Sequence, residues 1–209
     1  MKRWPIIPTI IVAAAILIMI ALGIWQLRRA DEKEALIAVY AANQSKGEIA
    51  YPTLAPIPEY ALFRPSSANC LAVTGWRKEA GRSADGQSGY RFIAECRTGA
   101  EGPGLLADMG VGRDPQAVPK WTGGMVHGRI GTEPQHTSLI DQLRSKAPPP
   151  RPMLISLQAA PGLSPSARPS PEDIPNNHLA YAVQWFLFAG IAGIIYWLAL
   201  KRRRRAQTA

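Results

Sequence analysis

Two long stretches of the chain hold no charged residue. Ile6 to Leu22 is uninterrupted, and the apolar character continues through Trp25 to Leu27. Leu179 to Leu200 is 22 residues long, with Gln184 as its one strongly polar interruption. A helix rises ~1.5 Å per residue, so either stretch can cross a hydrocarbon layer ~30 Å thick. Both are expected to be transmembrane helices. A cleaved signal peptide is the rival reading of Met1 to Gly23. Against it, the apolar run exceeds the ~7–15 residues of a signal core, and Ala21-Leu22-Gly23 is a poor small-x-small cleavage site.

Between the two runs the pattern changes twice. Arg28 to Gln44 starts with mixed charge and then places Leu36, Ile37, Val39 and Tyr40 at helical spacing. This predicts a helix continuing out of the first span with one apolar face, stopped by Gly47 and Pro52. Tyr51 to Pro65, with four prolines, excludes regular helix. From Cys70 onward short strand patterns take over: Cys70 to Trp76, Tyr90 to Cys96, Leu105 to Val111, Met125 to Ile130 and Met153 to Leu157. Gly81 to Gly89 reads as a hairpin loop between the first two. Ala147 to Pro152 is a stiff extended element, and Pro161 to Pro175, with five prolines, predicts a polyproline-like return to the membrane.

The expected architecture is therefore two transmembrane helices bracketing an extracytoplasmic, mainly antiparallel β domain, either a small sheet or a partly closed barrel. Its segments are residues 1–4 as a cytoplasmic N-terminus, 5–27 as the first span and 28–46 as its helical extension. The β domain covers 47–160, the proline-rich return 161–177, the second span 178–200 and a basic tail 201–209.

The net charge of +9 suggests nucleic acid until it is located. Lys201 to Arg205 supply +5 and Lys2 with Arg3 supply +2, which leaves +2 for everything else. The excess sits beside the membrane runs, where Lys and Arg mark the cytoplasmic side. The first span is ambiguous, since Arg28, Arg29 and Lys33 follow it. The second decides the orientation, with five basic residues on one flank and Glu172 and Asp173 on the other. Both termini are expected in the cytoplasm and the β domain outside. Trp4, Tyr196 and Trp197 then fall near the inner interface, and Trp25, Tyr181 and Trp185 near the outer one.

Candidate chemistry is sparse. Cys70 and Cys96 are the only cysteines, one in each arm of the expected hairpin. A disulfide, two buried thiols and a copper site all remain open, although the close-set soft ligands that Cu(I) prefers are missing. His127 alternates with Val126 on a strand and reads as a structural or surface group, and His136 reads as a loop residue. No nucleophile elbow, zinc-protease helix, phosphate loop or covalent-haem motif occurs, so an enzyme is not expected.

His178 stands apart, since an imidazole where a membrane run meets water is a functional candidate. On a helix starting near Asn177, positions 178, 181, 182 and 185 share a face, which stacks His178, Tyr181 and Trp185. Gly23, Trp25, Gln26 and Arg29 lie at the matching end of the first span. Imidazole, aromatic rings and arginine suit an amphipathic porphyrin, with iron on the imidazole and propionates near arginine. The alternative is that Asn177 and His178 merely cap and anchor the helix.

Leu22-Gly23-Ile24-Trp25-Gln26-Leu27-Arg28-Arg29, with Lys33, and Asn176-Asn177-His178-Leu179-x-Tyr181-x-x-Gln184-Trp185-Phe186 together resemble the Surf1 (Shy1) family of membrane assembly factors for cytochrome c oxidase. The resemblance implies a chaperone of the cell inner membrane in respiratory-chain biogenesis, binding haem a on its way to subunit I. It implies subunit I, haem a synthase and membrane lipid as partners. The family's second-span histidine maps onto His178, which the resemblance implies as the ligand of the haem iron. Its Gly-x-Trp-Gln maps onto Gly23, Trp25 and Gln26, assigned to packing and haem contact. Tyr181 and Trp185 would line the site, with Arg28 or Arg29 near the propionates. The alternative in the same setting is a scaffold that holds subunit I open and never ligates iron. The family's central Asn-Arg-Gly-Trp-Val-Pro segment is only partly matched by Ala107 to Pro115, which keeps Gly110, Val111 and Pro115 but shifts the arginine and lacks the tryptophan.

Overall fold

A computed structural model describes residues 5–100, 102–135, 141 and 148–206. They fall into two units: one from the described parts of Met1–Leu36 and Pro175–Ala209, the other Ile37–Ile174. His136, Trp4, Lys2 and Arg3 lie outside the described residues.

The first unit is a helix pair. Helix α1 covers Ile6–Asn43, its last turns belonging to the second unit, and α2 covers His178–Ala206. Both are long and apolar enough to cross a membrane, and little of either apolar stretch is buried. The shielded positions form narrow seams. On α1 one seam runs through Thr9, Val12, Ile16, Met19, Gly23, Gln26 and Ala30, with Leu22 beside it, and on α2 through His178, Ala182, Trp185, Ala189, Ala192 and Tyr196, with Gly193 beside it and Leu200 beyond. Steps of three and four alternate, the spacing that keeps one seam against a partner helix. The helices run antiparallel: Thr9 Oγ1 meets Tyr196 Oη at 2.5 Å near one end, and Gln26 meets His178 near the other. Small residues permit the approach. A Cβ placed on Gly23 would lie 2.7 Å from the Phe186 ring, so this glycine is where the second helix leans in.

The second unit is a seven-stranded mixed sheet. Its strands are β1 (Ile49–Ala50), β2 (Pro65–Cys70), β3 (Ala72–Arg82), β4 (Ser88–Arg97), β5 (Leu105–Gly112), β6 (Gly124–Thr132) and β7 (Pro152–Ser156), in spatial order β1-β2-β6-β7-β5-β4-β3. The pairs β1–β2 and β5–β7 are parallel and the other four antiparallel. The sheet is thus mixed, and among the described residues it does not close into a barrel. Part of the mixing has a simple cause, because β7 slots between two oppositely directed strands and must run parallel to one of them. Its Met153, Leu154 and Ile155 are buried, as befits a strand with neighbours on both sides.

The expected strand Cys70–Trp76 is two strands bent at Leu71. Up to Cys70 the chain pairs with β6; from Ala72 it pairs with β4, and Leu71 N–H donates to the Arg97 carbonyl at 2.8 Å. One run of chain therefore serves both ends of the ladder. The disulfide Cys70–Cys96 sits at this corner, spanning 26 residues. The hairpin loop is shorter than expected, only residues 83–87, because β3 continues to Arg82 and β4 begins at Ser88. Ser83 closes it: its hydroxyl accepts from Gln87 N–H at 3.1 Å.

A buried ionic knot lies within β4 and β5. Asp108 is fully buried, and its Oδ2 accepts from Arg91 Nε and Nη2 at 2.8 and 2.5 Å. Its Oδ1 accepts from the Ser166 hydroxyl at 2.7 Å and from Gly110 N–H at 3.1 Å. A buried carboxylate persists only when so completely satisfied. Gly110, at φ +123°, is the conformation this turn-back requires, and a Cβ there would meet the Ser164 carbonyl at 2.6 Å.

Candidate functional site

At the start of α2 the first helical bond runs from Tyr181 N–H to the Asn177 carbonyl, 3.2 Å, which places His178 in the opening turn. The seam then carries His178 toward α1, where Gln26 occupies the facing position. His178 Nδ1 lies 2.7 Å from Gln26 Oε1. One turn further along α1, the Ala30 carbonyl accepts from Asn176 Nδ2 at 3.3 Å. Residues 176 and 178 are thus tied to α1 at two positions four apart. His178 is partly buried.

The other expected site residues are less tightly gathered. Trp185 lies two turns along the same seam, partly buried, with Phe188 edge-on at 6.2 Å. Tyr181 and Trp25 flank the seam, each 52% exposed. Arg28 is exposed, and Arg29 pairs with Glu32 at 2.5 Å on the exposed surface of its own helix. The geometry brings together His178 and Gln26, sets Trp185 two turns away along the same seam, and leaves the Tyr181 and Trp25 rings and both arginines turned outward.

Asn176 belongs to the site by geometry although the sequence marked it only as part of a motif. Its signal was faint, since an asparagine before a helix reads first as a cap. No three His, Cys, Asp or Glu side chains cluster to hold a metal ion among the described residues. A lone imidazole suits a metal that brings its own equatorial ligands, and does not suit a protein-built cage.

The sheet unit has a concavity of about 320 Å³, lined by Met109, Trp121, Met125, His127 and the 156–161 segment. His127 itself is exposed. Across the same unit Glu133 is held below the usual carboxylate range, chiefly by the hydrogen bond from Arg151 (Nε to Oε2, 2.8 Å) and also by Arg77. Burial raises the Tyr51 hydroxyl far above an ordinary phenol, and it donates to the Pro152 carbonyl at 2.6 Å. These are structural arrangements that fasten β7 and its approach.

No curated protein matches the chain. The profile of the SURF1 family matches residues 13–190, a span taking in most of α1, the entire sheet and the first part of α2, and the chain belongs to the SURF1 family.

Proposed function

We propose that this chain is an assembly factor for haem-copper cytochrome c oxidase that binds haem a and assists its insertion into subunit I. Family membership implies the role in oxidase assembly. The haem step is supported chiefly by one observation: His178 uses Nδ1 on Gln26, and Nε2 makes no hydrogen bond among the described residues. An imidazole with one nitrogen anchored and the other free is how metal-ligating histidines are usually arranged. Haem a would be cargo here, its iron open to a nitrogen ligand from the protein. The protein supplies His178 to hold it, Trp185 and the outward rings of Trp25 and Tyr181 to lie against the macrocycle, and Arg28 or Arg29 for the propionates. Hand-over then depends on affinity differing between the free and the subunit-docked states.

The same reading places the chain in the bacterial cytoplasmic membrane with both termini inside. The apolar flanks of α1 and α2 face lipid, and the basic run Lys201 to Arg205 stays in the cytoplasm. Residues 5–27 and 178–200 are the proposed spans, with the sheet unit outside.

The test is an absorption spectrum and pyridine haemochrome of the detergent-purified protein, co-expressed with the haem a synthesis enzymes, beside His178→Ala. Haem a on the wild type and its loss from a folded variant is the expected result. No haem on either protein sinks the carrier role and leaves a scaffold for subunit I. Equal haem on both retires His178 as the ligand.

A further inference from the structure

We infer that Gln26 is a positioning residue: its side-chain oxygen accepts the Nδ1–H of His178 and fixes the imidazole as the tautomer whose Nε2 carries the free lone pair. What that lone pair is for rests on the haem-carrier reading. The tautomer itself does not.

Gln26 is the only amide side chain in the uncharged part of α1, and it lies on the shielded seam rather than on the outer face. An amide in an apolar setting costs free energy unless it is hydrogen-bonded, so its partner is the reason it is tolerated. The partner is His178 Nδ1 at 2.7 Å, approached by Oε1. An oxygen can only accept, so Nδ1 must carry the proton. A neutral imidazole has one donor and one acceptor, which leaves Nε2 as the acceptor. The tie from Asn176 to the Ala30 carbonyl holds the chain just before His178, so the ring has little freedom to swing off Gln26. By contrast Gln184, the amide side chain of α2, is exposed on its helix.

The experiment is long-range 15N–1H correlation on haem-free, full-length protein labelled at histidine, in nanodiscs at a pH where imidazole is neutral. His127, His136 and His178 are the only histidines, and His178→Ala identifies the third signal. The wild type is expected to show Nδ1–H at His178. Gln26→Leu, apolar and of similar bulk, is expected to move the population toward Nε2–H, and Gln26→Glu, which keeps an accepting oxygen, to retain Nδ1–H. An Nε2–H wild type, or a tautomer unchanged in Gln26→Leu, overturns the inference. In haem-loaded protein, Gln26→Leu should weaken retention roughly 10–100-fold, the usual effect of losing the partner behind a ligating histidine. Gln26→Glu should retain haem and lower the midpoint potential, since a carboxylate draws the Nδ1 proton more strongly. A wild type that holds no haem defeats the carrier reading while the resonance result still decides the role of Gln26.

Discussion

Along α1 and α2 the residues that meet are mostly small or flexible, and most of the large apolar side chains face outward. In the sheet unit Phe92, Ile93, Leu105, Ile130, Met153 and Leu154 are shut away almost completely. The helix pair has a seam without a core, and the sheet has a core sealed by covalent and ionic ties. This is the arrangement expected of helices that are long and apolar enough to cross a membrane, where lipid would cover the outward faces and close packing at a narrow seam would hold the pair. Water gives the sheet its drive to bury apolar surface, and the knot at Asp108 and the disulfide specify which arrangement wins. A polar contact therefore has different roles in the two places. In the sheet it organises packing, and in the seam the Thr9–Tyr196 and Gln26–His178 contacts, one near each end, stand out against apolar neighbours.

The contrast can be broken most forcefully at Asp108. Asp108→Ala strands the Arg91 guanidinium and two further donors, and is expected to cost about 3–5 kcal/mol. Hydrogen exchange should show protection collapsing in β4 and β5 while the α1 and α2 amides keep theirs. Next, Cys70→Ser with Cys96→Ser removes a cross-link spanning 26 residues and should destabilise the sheet by about 3 kcal/mol, read as a lower denaturation midpoint of the same amides. In the helix pair, Gly23→Val forces bulk against Phe186 and should cost roughly 1–3 kcal/mol of seam packing. Spin labels at Leu17→Cys and Ile194→Cys would report the helices moving apart, with the sheet amides unchanged. The smallest effect concerns Glu133. Its folded-state pKa lies below the unfolded value, so its contribution is full above the ordinary carboxylate range and is lost as pH falls through the lower folded value. Being partly exposed, it should be worth less than about 1 kcal/mol. Glu133→Gln should flatten the acid dependence of β6 and β7 protection.

Much of this was legible because it lay in local pattern. The uncharged runs announced both helices, and apolar stretches bounded by Gly or Pro announced β4 to β7 within a residue or two. Strand β2 was hidden, since Pro65-Ser66-Ser67-Ala68-Asn69-Cys70 is polar and has no alternation. It is a strand because β6 lies alongside it and the Ser66 hydroxyl donates to the Ile49 carbonyl at 2.8 Å, both distant in sequence. The bend at Leu71 was equally invisible, since it depends on which partner each half of the run meets. At the site, His178 could be read as a histidine at a membrane boundary. The pairing with Gln26 could not, because it requires the antiparallel register in which the two seams meet. The sequence placed Tyr181 on the facing stripe with His178 and Trp185, whereas the alternating seam runs through Ala182 and leaves Tyr181 on its flank.

The run of chain shared by β2 and β3 also sets an order of events. The β3–β4 hairpin closes through a five-residue loop and can form as soon as both arms exist, whereas β2 must wait for β6, more than fifty residues further on. Cys70 and Cys96 both lie in the part available early. Oxidation there can lock the corner before β6 has emerged, so that the last strands arrive at a ready template and the most distant pairing of the sheet begins from an anchored end.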